Sequence, residues 1–279
     1  MLGTPIRIIS GINQPSSLTI NKKGEILVVE GGRQCVSIFS LDGINICSFG
    51  SPTQLGAHCL REPQGVVVCE DGTVLVADSG RHCISLFTSK GEFIESRGKQ
   101  GNGHVQFNKP MGIGIHPITK NIYITEYKNH RIQILSPKFE FVASFGSKGK
   151  DHEKFKKPWD ISFDSKGDVY VADSGNHRIQ VFEHHDDKLY FLREIGEKGR
   201  GEGQLMWPSS IFVDDENRVY VTEDDNYRVS VFTHVGKFLK SFGKKGKSKG
   251  EFDLPHGVVT DMNGDIYISD HKNNRLQIF

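Results

Sequence analysis

The sequence predicts an all-β fold, a six-bladed β-propeller built of four-stranded antiparallel blades. The first observation behind this prediction is a proline that recurs every 47 to 50 residues, at Pro15, Pro63, Pro110, Pro158, Pro208 and Pro255. The second is that each period contains four short strand-like runs, a combination typical of propeller blades. The third is that apolar and polar residues alternate with period two in every repeat, whereas helical spacing is absent.

The fourth repeat shows how the sequence divides into strands. After Pro158 the chain predicts strands a, b, c and d at the runs "WDISFD", "VYVAD", "IQVF" and "LYFLREIG". The a–b connection "DSKGD" at 164–168 predicts a hairpin with Gly167 at the position that needs a positive φ. The run "EHHDDK" at 183–188 predicts a polar insert between strands c and d.

The two ends of the chain predict how the ring closes. The sixth repeat stops at Phe279 after strand c, and residues 4–11, "TPIRIISG", read as a strand d that lacks its own a, b and c. We therefore expect residues 4–11 to complete blade six, which removes the open sheet edges that promote aggregation. The whole of 1–279 is then expected to form one propeller domain with no linker.

The connection between strands b and c carries the most regular motif of the chain. An acid ends strand b, and in four repeats an arginine opens strand c five residues later, as in Asp173 and Arg178. We expect the opposite charges to shape a tight loop, with the acid also accepting backbone N–H groups of the turn. Repeats 1 and 2 have Cys35 and Cys83 at the arginine position and an arginine two residues earlier, which predicts a different bonding pattern there.

Composition and cysteine usage narrow the class of protein. The formal net charge of +1 predicts no partner by itself, and no apolar stretch is long enough for a transmembrane helix. The N-terminal segment does not resemble a signal peptide, and five cysteines without a CxxC pair argue against a disulfide framework or a zinc site. Equivalent histidines in neighbouring blades would lie too far apart to share an ion. A reducing, cytoplasmic setting is expected, with no membrane contact, metal or cofactor.

Charge is distributed unevenly although its sum is small. In a propeller the b–c loops and the d–a connections share one face, here called the top face. The b–c loops sum to zero, whereas a total of +7 falls on the connections at 50–62, 98–109, 146–157, 196–207 and 243–254. A basic face on a nearly neutral domain indicates a polyanion, although lysine-rich turns are also ordinary solvated surface. The residues alone leave polyanion binding, a protein partner, and catalysis or a small ligand open.

Aromatic residues accompany this charge. Tyr127 and Tyr227 fall in b–c loops, and Trp207 precedes a proline. The residue after each proline is expected near the mouth of the central channel, at Ser16, Gln64, Met111, Trp159, Ser209 and His256. Aromatic side chains beside lysines provide stacking surfaces for bases and contacts for phosphates.

The motif itself resembles a known repeat. Residues 129–132 and 176–179 both read Asn-His-Arg-Ile after an acid, in periods that open with proline, and this resembles the NHL repeat. The resemblance covers essentially the whole chain and is greatest to the C-terminal NHL domains of TRIM-NHL proteins. The RING, B-box and coiled-coil parts that those proteins carry upstream have no counterpart in this sequence.

The resemblance implies an RNA-binding domain of a post-transcriptional regulator, which binds a hairpin or a short single strand on its basic top face. The alternative it implies is a protein–protein interaction platform that recruits partners or substrates for a RING-type E3 ubiquitin ligase. No small-molecule substrate is expected. The acidic loop 223–228 predicts that RNA lies over blades 2 to 4 and avoids blade 5. The candidate RNA-binding residues are Lys99, Lys109, Tyr127, Lys128, His130, Arg131, Lys148, Lys150, Lys156, Lys157, Trp159, His177, Arg178, Trp207 and His256.

Catalysis by the domain is not expected. The amidating lyase, a propeller similar to NHL proteins, holds a metal in its channel with histidines from several blades, whereas here only His256 has a channel-mouth position. No GxSxG, HExxH or phosphate-binding loop occurs. The sequence therefore predicts that the domain is not an enzyme, with ligase activity belonging only to upstream parts.

Overall fold

Short strands joined by tight turns make up almost the entire chain. The computed structural model describes residues 3–52, 58–186 and 188–279. Its strands form six antiparallel four-stranded sheets, which confirms the prediction of a six-bladed propeller. Two single 3-10 turns, Ser174–Asn176 and His271–Asn273, lie in b–c loops. Among the described residues no helix has the length and apolarity that a bilayer crossing requires.

The strands of each blade run from the channel outward in the order a, b, c, d. Blade 1 comprises β2 to β5, at Pro15–Ile20, Ile26–Glu30, Cys35–Phe39 and Asn45–Phe49. Blade 2 comprises β6 to β9, at Pro63–Val68, Val74–Asp78, Cys83–Phe87 and Phe93–Arg97. The next connection contains the short strands β10 and β11, at Lys99–Gln100 and Gln106–Phe107. Blade 3 comprises β12 to β15, at Pro110–Ile115, Ile122–Glu126, Arg131–Leu135 and Phe141–Phe145.

The second half of the ring repeats this pattern. Blade 4 comprises β16 to β19, at Ile161–Phe163, Val169–Asp173, Arg178–His185 and Lys188–Ile195. Blade 5 comprises β20 to β23, at Pro208–Val213, Arg218–Glu223, Arg228–Thr233 and Phe238–Phe242. Blade 6 contains β24 to β26, at Pro255–Thr260, Ile266–Asp270 and Arg275–Ile278.

The first strand closes the ring. Strand β1 (Arg7–Ser10) pairs antiparallel with β26, with Arg7 opposite Ile278 and Ser10 opposite Arg275. It thus provides strand d of blade 6, as the sequence predicted. One cluster of buried side chains combines Ile9 and Tyr267 of blade 6 with Leu18 and Ile26 of blade 1, so the closure is packed like any other pair of blades.

The apolar core lies between blades rather than inside any one of them. Each of the six hydrophobic clusters combines side chains of two neighbouring blades. Between blades 1 and 2, for example, Val29 and Val36 pack with Val66 and Val76. A single blade could not bury its faces alone, which is why the ring must close for the fold to be stable.

The a–b hairpins form as predicted and explain their acidic residues. The Asp164 carboxylate accepts the backbone N–H groups of Lys166 at 3.0 Å and Asp168 at 2.9 Å, and Gly167 has a φ of +91°. The hydroxyl of Tyr170 donates to the same carboxylate at 3.4 Å. The acid stabilises its own turn, so its oxygens are used within the hairpin.

The insert predicted between strands c and d of blade 4 is mostly strand. Strands β18 and β19 continue through it, with His184 opposite Leu189 and His185 opposite Lys188. The polar residues 183–185 and 188 thus belong to strands, because a hairpin that extends beyond the core needs no apolar face. Residue 187 of this insert and residues 53–57 of the first d–a connection lie outside the described residues.

Candidate functional site

Six buried acids hold the b–c loops of the top face. They end strand b of each blade, and all are 0% exposed, at Glu30, Asp78, Glu126, Asp173, Glu223 and Asp270. Each accepts the backbone N–H of the residue two places before the proline of its own blade, as Asp173 does from Lys156 at 2.7 Å. Each also accepts a hydrogen bond from a Ser or Gln seven residues later, such as Gln180. The repeated acid therefore joins strands a, b and c.

The motif arginines complete these loops. Arg178 donates from Nε to Asp173 at 2.9 Å, and its terminal nitrogens donate to Glu194 and to the carbonyls of Asp151 and Lys154. Arg131 donates in the same way to Glu126 and to three backbone carbonyls of the preceding connection. The side chains of Arg131 and Arg178 are only 14% and 8% exposed. The donors of these two candidates are therefore committed to the fold.

The motif histidines join neighbouring blades. His130 and His177 have left-handed φ values of 56° and 59°. Nδ1 of His130 accepts the N–H of Lys157 at 3.0 Å, and Nδ1 of His177 accepts that of Trp207 at 3.1 Å. Burial, and then nearby lysines, lower the pKa of both imidazoles, which keeps them neutral and able to accept. These two candidates also have a structural role.

The d–a connections present lysines at equivalent positions. Parallel backbone bridges join Lys148 to Phe155, Lys198 to Leu205 and Lys245 to Phe252. The apolar partner is fully buried in each case, whereas the three lysines are exposed. Sequence reasoning missed Lys198 because its connection sums to zero charge, although the position ten residues before the proline identifies it.

Two rings of residues surround the channel mouth. The residues after the prolines line one cavity, as predicted, at Ser16, Gln64, Met111, Trp159, Ser209 and His256. The first residues of five b–c loops form a second ring by contacting the next blade, at Ser79, Tyr127, Ser174, Asp224 and His271. Members of the second ring contact the next blade, for instance Ser79 Oγ with Met111 Sδ at 3.5 Å. Such pairs could be found in the sequence from a spacing of 32 residues, which separates Tyr127 from Trp159 and Asp224 from His256.

Aromatic rings and a lysine form one arc of the mouth, here called the aromatic arc. The Tyr127 and Trp159 rings meet edge to face, with centroids 5.5 Å apart. Lys157 Nζ lies 5.2 Å from the Tyr127 centroid and 5.3 Å from that of Trp207. The aromatic arc therefore consists of Tyr127, Trp159, Lys157 and Trp207, and it joins candidates from the connections before blades 4 and 5. Cation–π contacts of this length hold the ammonium group over the rings.

The opposite arc, here called the polar arc, consists of Asp224, His256 and His271. His256 Nε2 lies 3.6 Å from Asp224 Oδ2, and the His256 ring stacks on His271 with centroids 4.4 Å apart. The Trp159 ring lies 5.8 Å from that of His256, so the two arcs touch. Burial, followed by the neighbouring His256, lowers the pKa of His271 to about 4. Over the described ranges, no three His, Cys, Asp or Glu side chains are placed to hold a metal ion.

The remaining candidates divide by exposure. Lys109 forms an ion pair with Glu62 across two connections. No ion pair is found within the described part of the chain for the exposed side chains of Lys99, Lys128, Lys148, Lys150 and Lys156. The structure thus brings Lys128 close to the aromatic arc, with its Nζ 5.7 Å from the Tyr127 centroid, whereas Lys156 lines a separate cavity with Lys150 and His177.

Comparison with known families identifies the repeat. The family described as NHL repeat matches residues 60–87, 155–182 and 252–279, which are strands a to c of blades 2, 4 and 6. The chain therefore contains NHL repeats in a six-bladed propeller. A search of curated protein sequences found no match.

Solved structures with this fold include bacterial propellers of several kinds. A gluconolactonase from Xanthomonas campestris is 14% identical with a TM-score of 0.71, covering 99% of this chain and 92% of that one. A catalytically inactive virginiamycin B lyase from Staphylococcus aureus is 17% identical with a TM-score of 0.65, covering 98% and 84%. An auxiliary nutrient binding protein from Bacteroides ovatus is 17% identical with a TM-score of 0.72, covering 96% and 69%. At these identities the likeness shows the fold alone.

These neighbours correct one prediction. The sequence predicts no catalysis, because it contains no familiar catalytic motif and only one histidine at a channel-mouth position. A lyase and a gluconolactonase nevertheless use this architecture, so the exclusion was wrong. The physical reason is that a propeller assembles a site from single residues of several blades, which leaves no contiguous motif in the sequence.

Proposed function

We propose that the domain binds RNA on its top face, as part of a TRIM-NHL-like post-transcriptional regulator. The observation that carries the proposal is the aromatic arc, in which Lys157 lies between the rings of Tyr127 and Trp207 beside Trp159. Single-stranded RNA is bound by this combination of stacking surfaces and cations. A cytoplasmic location belongs to the same proposal and is supported by five cysteines that all remain free.

Exposed lysines extend the aromatic arc into a path for a phosphate backbone. Lys128 lies beside it, and Lys148, Lys150, Lys156 and Lys198 follow along the connections before blades 4 and 5. Unlike the motif arginines, these side chains form no hydrogen bond to the loops within the part of the chain that the structure describes, so their ammonium groups are available to phosphates. Lysines of this kind give affinity without sequence choice, whereas the rings contact bases.

The test is fluorescence anisotropy with randomised single-stranded and hairpin RNA pools across a salt series. The variant Lys156→Glu with Lys157→Glu should weaken binding about tenfold or more and flatten the salt slope by about 1.4, at about 0.7 per lost phosphate contact. It should remain folded, because Asp253 and Glu62 occupy the equivalent positions before other prolines.

The matched control is Lys22→Glu with Lys23→Glu, which changes the net charge equally in the exposed a–b turn of blade 1, at the other end of the strands. Equal losses in both variants, or no loss in either, would contradict the proposal. A protein-docking platform on this face predicts another result. Truncation of Tyr127 or Trp207 would then weaken a protein complex more than lysine changes do, and RNA would not displace it.

A further inference from the structure

The polar arc contains two buried atoms whose hydrogen-bonding capacity is unused. Asp224 Oδ1 and His256 Nδ1 are buried and have no hydrogen-bond partner among the described residues, although the two side chains are still 19% and 11% exposed. They belong to side chains that face each other, at 3.6 Å between Asp224 Oδ2 and His256 Nε2. Buried polar atoms are almost always satisfied, so two orphans in one pair point to a group that comes from outside the chain.

The free positions of the arc are all acceptors. With Nε2 facing a carboxylate, the His256 proton is favoured on Nε2, which leaves a lone pair on Nδ1. His271 Nδ1 contacts the carbonyl of Pro15 at 3.1 Å and must donate to it, which leaves His271 Nε2 unprotonated in the neutral ring. A carboxylate accepts at both oxygens. The arc therefore suits a ligand with adjacent hydrogen-bond donors.

The surroundings decide between a cation and a neutral donor group. Lys157 and Lys128 border the mouth on the side of the aromatic arc, and Lys245 lies over Tyr227, which belongs to the same b–c loop as Asp224. These ammonium groups repel an ammonium or guanidinium ligand but attract an anionic chain. The occupant that fits both features is a neutral, donor-rich base carried on a phosphate backbone.

We propose that the channel mouth is a guanine-selective base site for RNA, in which the Asp224 carboxylate accepts from the guanine edge while Trp159 provides a ring for stacking. This inference rests on the proposed function. The Watson–Crick edge of guanine has two adjacent donors, N1–H and N2–H. Adenine and cytosine have an acceptor beside their amino group, and uracil has one donor between two acceptors. Only guanine presents two adjacent donors to the two oxygens of one carboxylate, whereas each other base would place an acceptor against one of them. The sequence predicts that RNA avoids the acidic loop of blade 5. In this proposal, the same loop selects the base.

The test compares a heptameric oligouridylate with versions that have G, A or C at the central position, by fluorescence anisotropy. We expect the G oligomer to bind about tenfold more tightly than the others, within the range known for a bidentate base contact. Asp224→Asn should abolish this preference, because the amide replaces one acceptor with a donor. The matched control is Asp225→Asn, which removes the same charge one residue away and should keep the preference.

A second arm titrates GMP and AMP against the same proteins. If oligomers bind equally whatever their central base, or if both Asn variants behave alike, the guanine site is wrong while RNA binding stands. If no oligomer binds but GMP binds in an Asp224-dependent way, the guanine site stands for a free nucleotide and the proposed RNA function fails. If neither binds, both proposals are wrong. Thermal melts of the two variants establish that any loss is not unfolding.

Discussion

The b–c loops of blades 3 to 6 and those of blades 1 and 2 hold the same buried acid by different means. In blades 3 to 6 an Asn and an Arg both donate to it, and the Arg side chains are 8 to 14% exposed. In blades 1 and 2 a single arginine from the Asn position, Arg33 or Arg81, reaches the acid from the surface and is 50% or 43% exposed. The buried acid and the backbone N–H that it accepts are thus common to all six loops, whereas the position of the arginine varies.

The different position of the arginine changes the surroundings of the buried acid in blade 2. In blade 2 the Arg81 Nε to Asp78 Oδ2 distance is 3.6 Å, and His58 occupies part of the space beside the carboxylate, with Nε2 3.9 Å from Oδ2. Burial, only partly offset by hydrogen bonds and by Arg81, raises the pKa of Asp78 to about 6. Blade 2 therefore holds an acid whose ionised form is weakly compensated.

Removing the arginine is expected to have the largest effect on stability, and the effect should differ between the two loop types. Arg178→Ala leaves Asp173 buried without its guanidinium, so we expect a loss of about 3–5 kcal/mol in the free energy of unfolding. Arg81→Ala removes an exposed cation and should cost about 1 kcal/mol or less. Urea unfolding at pH 7 measures both. Equal losses would show that the two loop types are energetically the same.

A second test uses the pH dependence of stability. An unfolded aspartate titrates near 3.9, so between about pH 4 and pH 6 the folded domain binds more protons at Asp78 than the unfolded chain does. The free energy of unfolding therefore falls as the pH rises through this window. The Asp78→Asn variant has no ionisable group at this position, so its free energy of unfolding does not fall in this window. We expect the variant to be more stable than the parent protein by up to about 3 kcal/mol at pH 7 and equally stable at pH 4.

The control for this test is Glu223→Gln in blade 5. It leaves the guanidinium of Arg228, which is 13% exposed, without its carboxylate partner, so it should destabilise the domain at pH 7. Denaturant unfolding at a series of pH values measures all three proteins. A stability gain for Glu223→Gln, or a pH-independent effect of Asp78→Asn, would contradict the distinction between the loops.

The same comparison explains what the sequence could and could not predict. The prolines, the alternating strands, the hairpins and the closing strand are features of local pattern repeated six times, so they were readable from the chain. Burial is not a local pattern. Lys128 and Arg131 lie three residues apart and count equally toward the charge of the top face, yet one is exposed and the other bonds four acceptors.

The channel mouth shows a second limit of prediction from sequence. Asp224 and His256 come from different blades, and the unpaired state of their atoms depends on contacts that sequence cannot count. Charge counting gave loop 223–228 only a repulsive role, because it treats a carboxylate as a charge and not as a pair of directed acceptors. The spacing of 32 residues between neighbouring rings would have placed these residues together, although not their chemistry.

The smallest effect concerns the hydrogen bond between blades at the residue before strand c. His177 in blade 4 and Asn274 in blade 6 both accept a backbone N–H of the next blade from a left-handed conformation, at 3.1 and 2.8 Å. His177→Ala leaves the N–H of Trp207 unpaired and should cost about 1–2 kcal/mol, whereas His177→Asn should recover most of this loss because Asn accepts and tolerates a positive φ.

Thermal unfolding of the two variants separates the roles: an equal loss for Ala and Asn would mean that the ring contact between His177 and Trp207, at 5.5 Å, matters more than the hydrogen bond. RNA affinity should then fall in both variants, since Trp207 would lose its position in the aromatic arc.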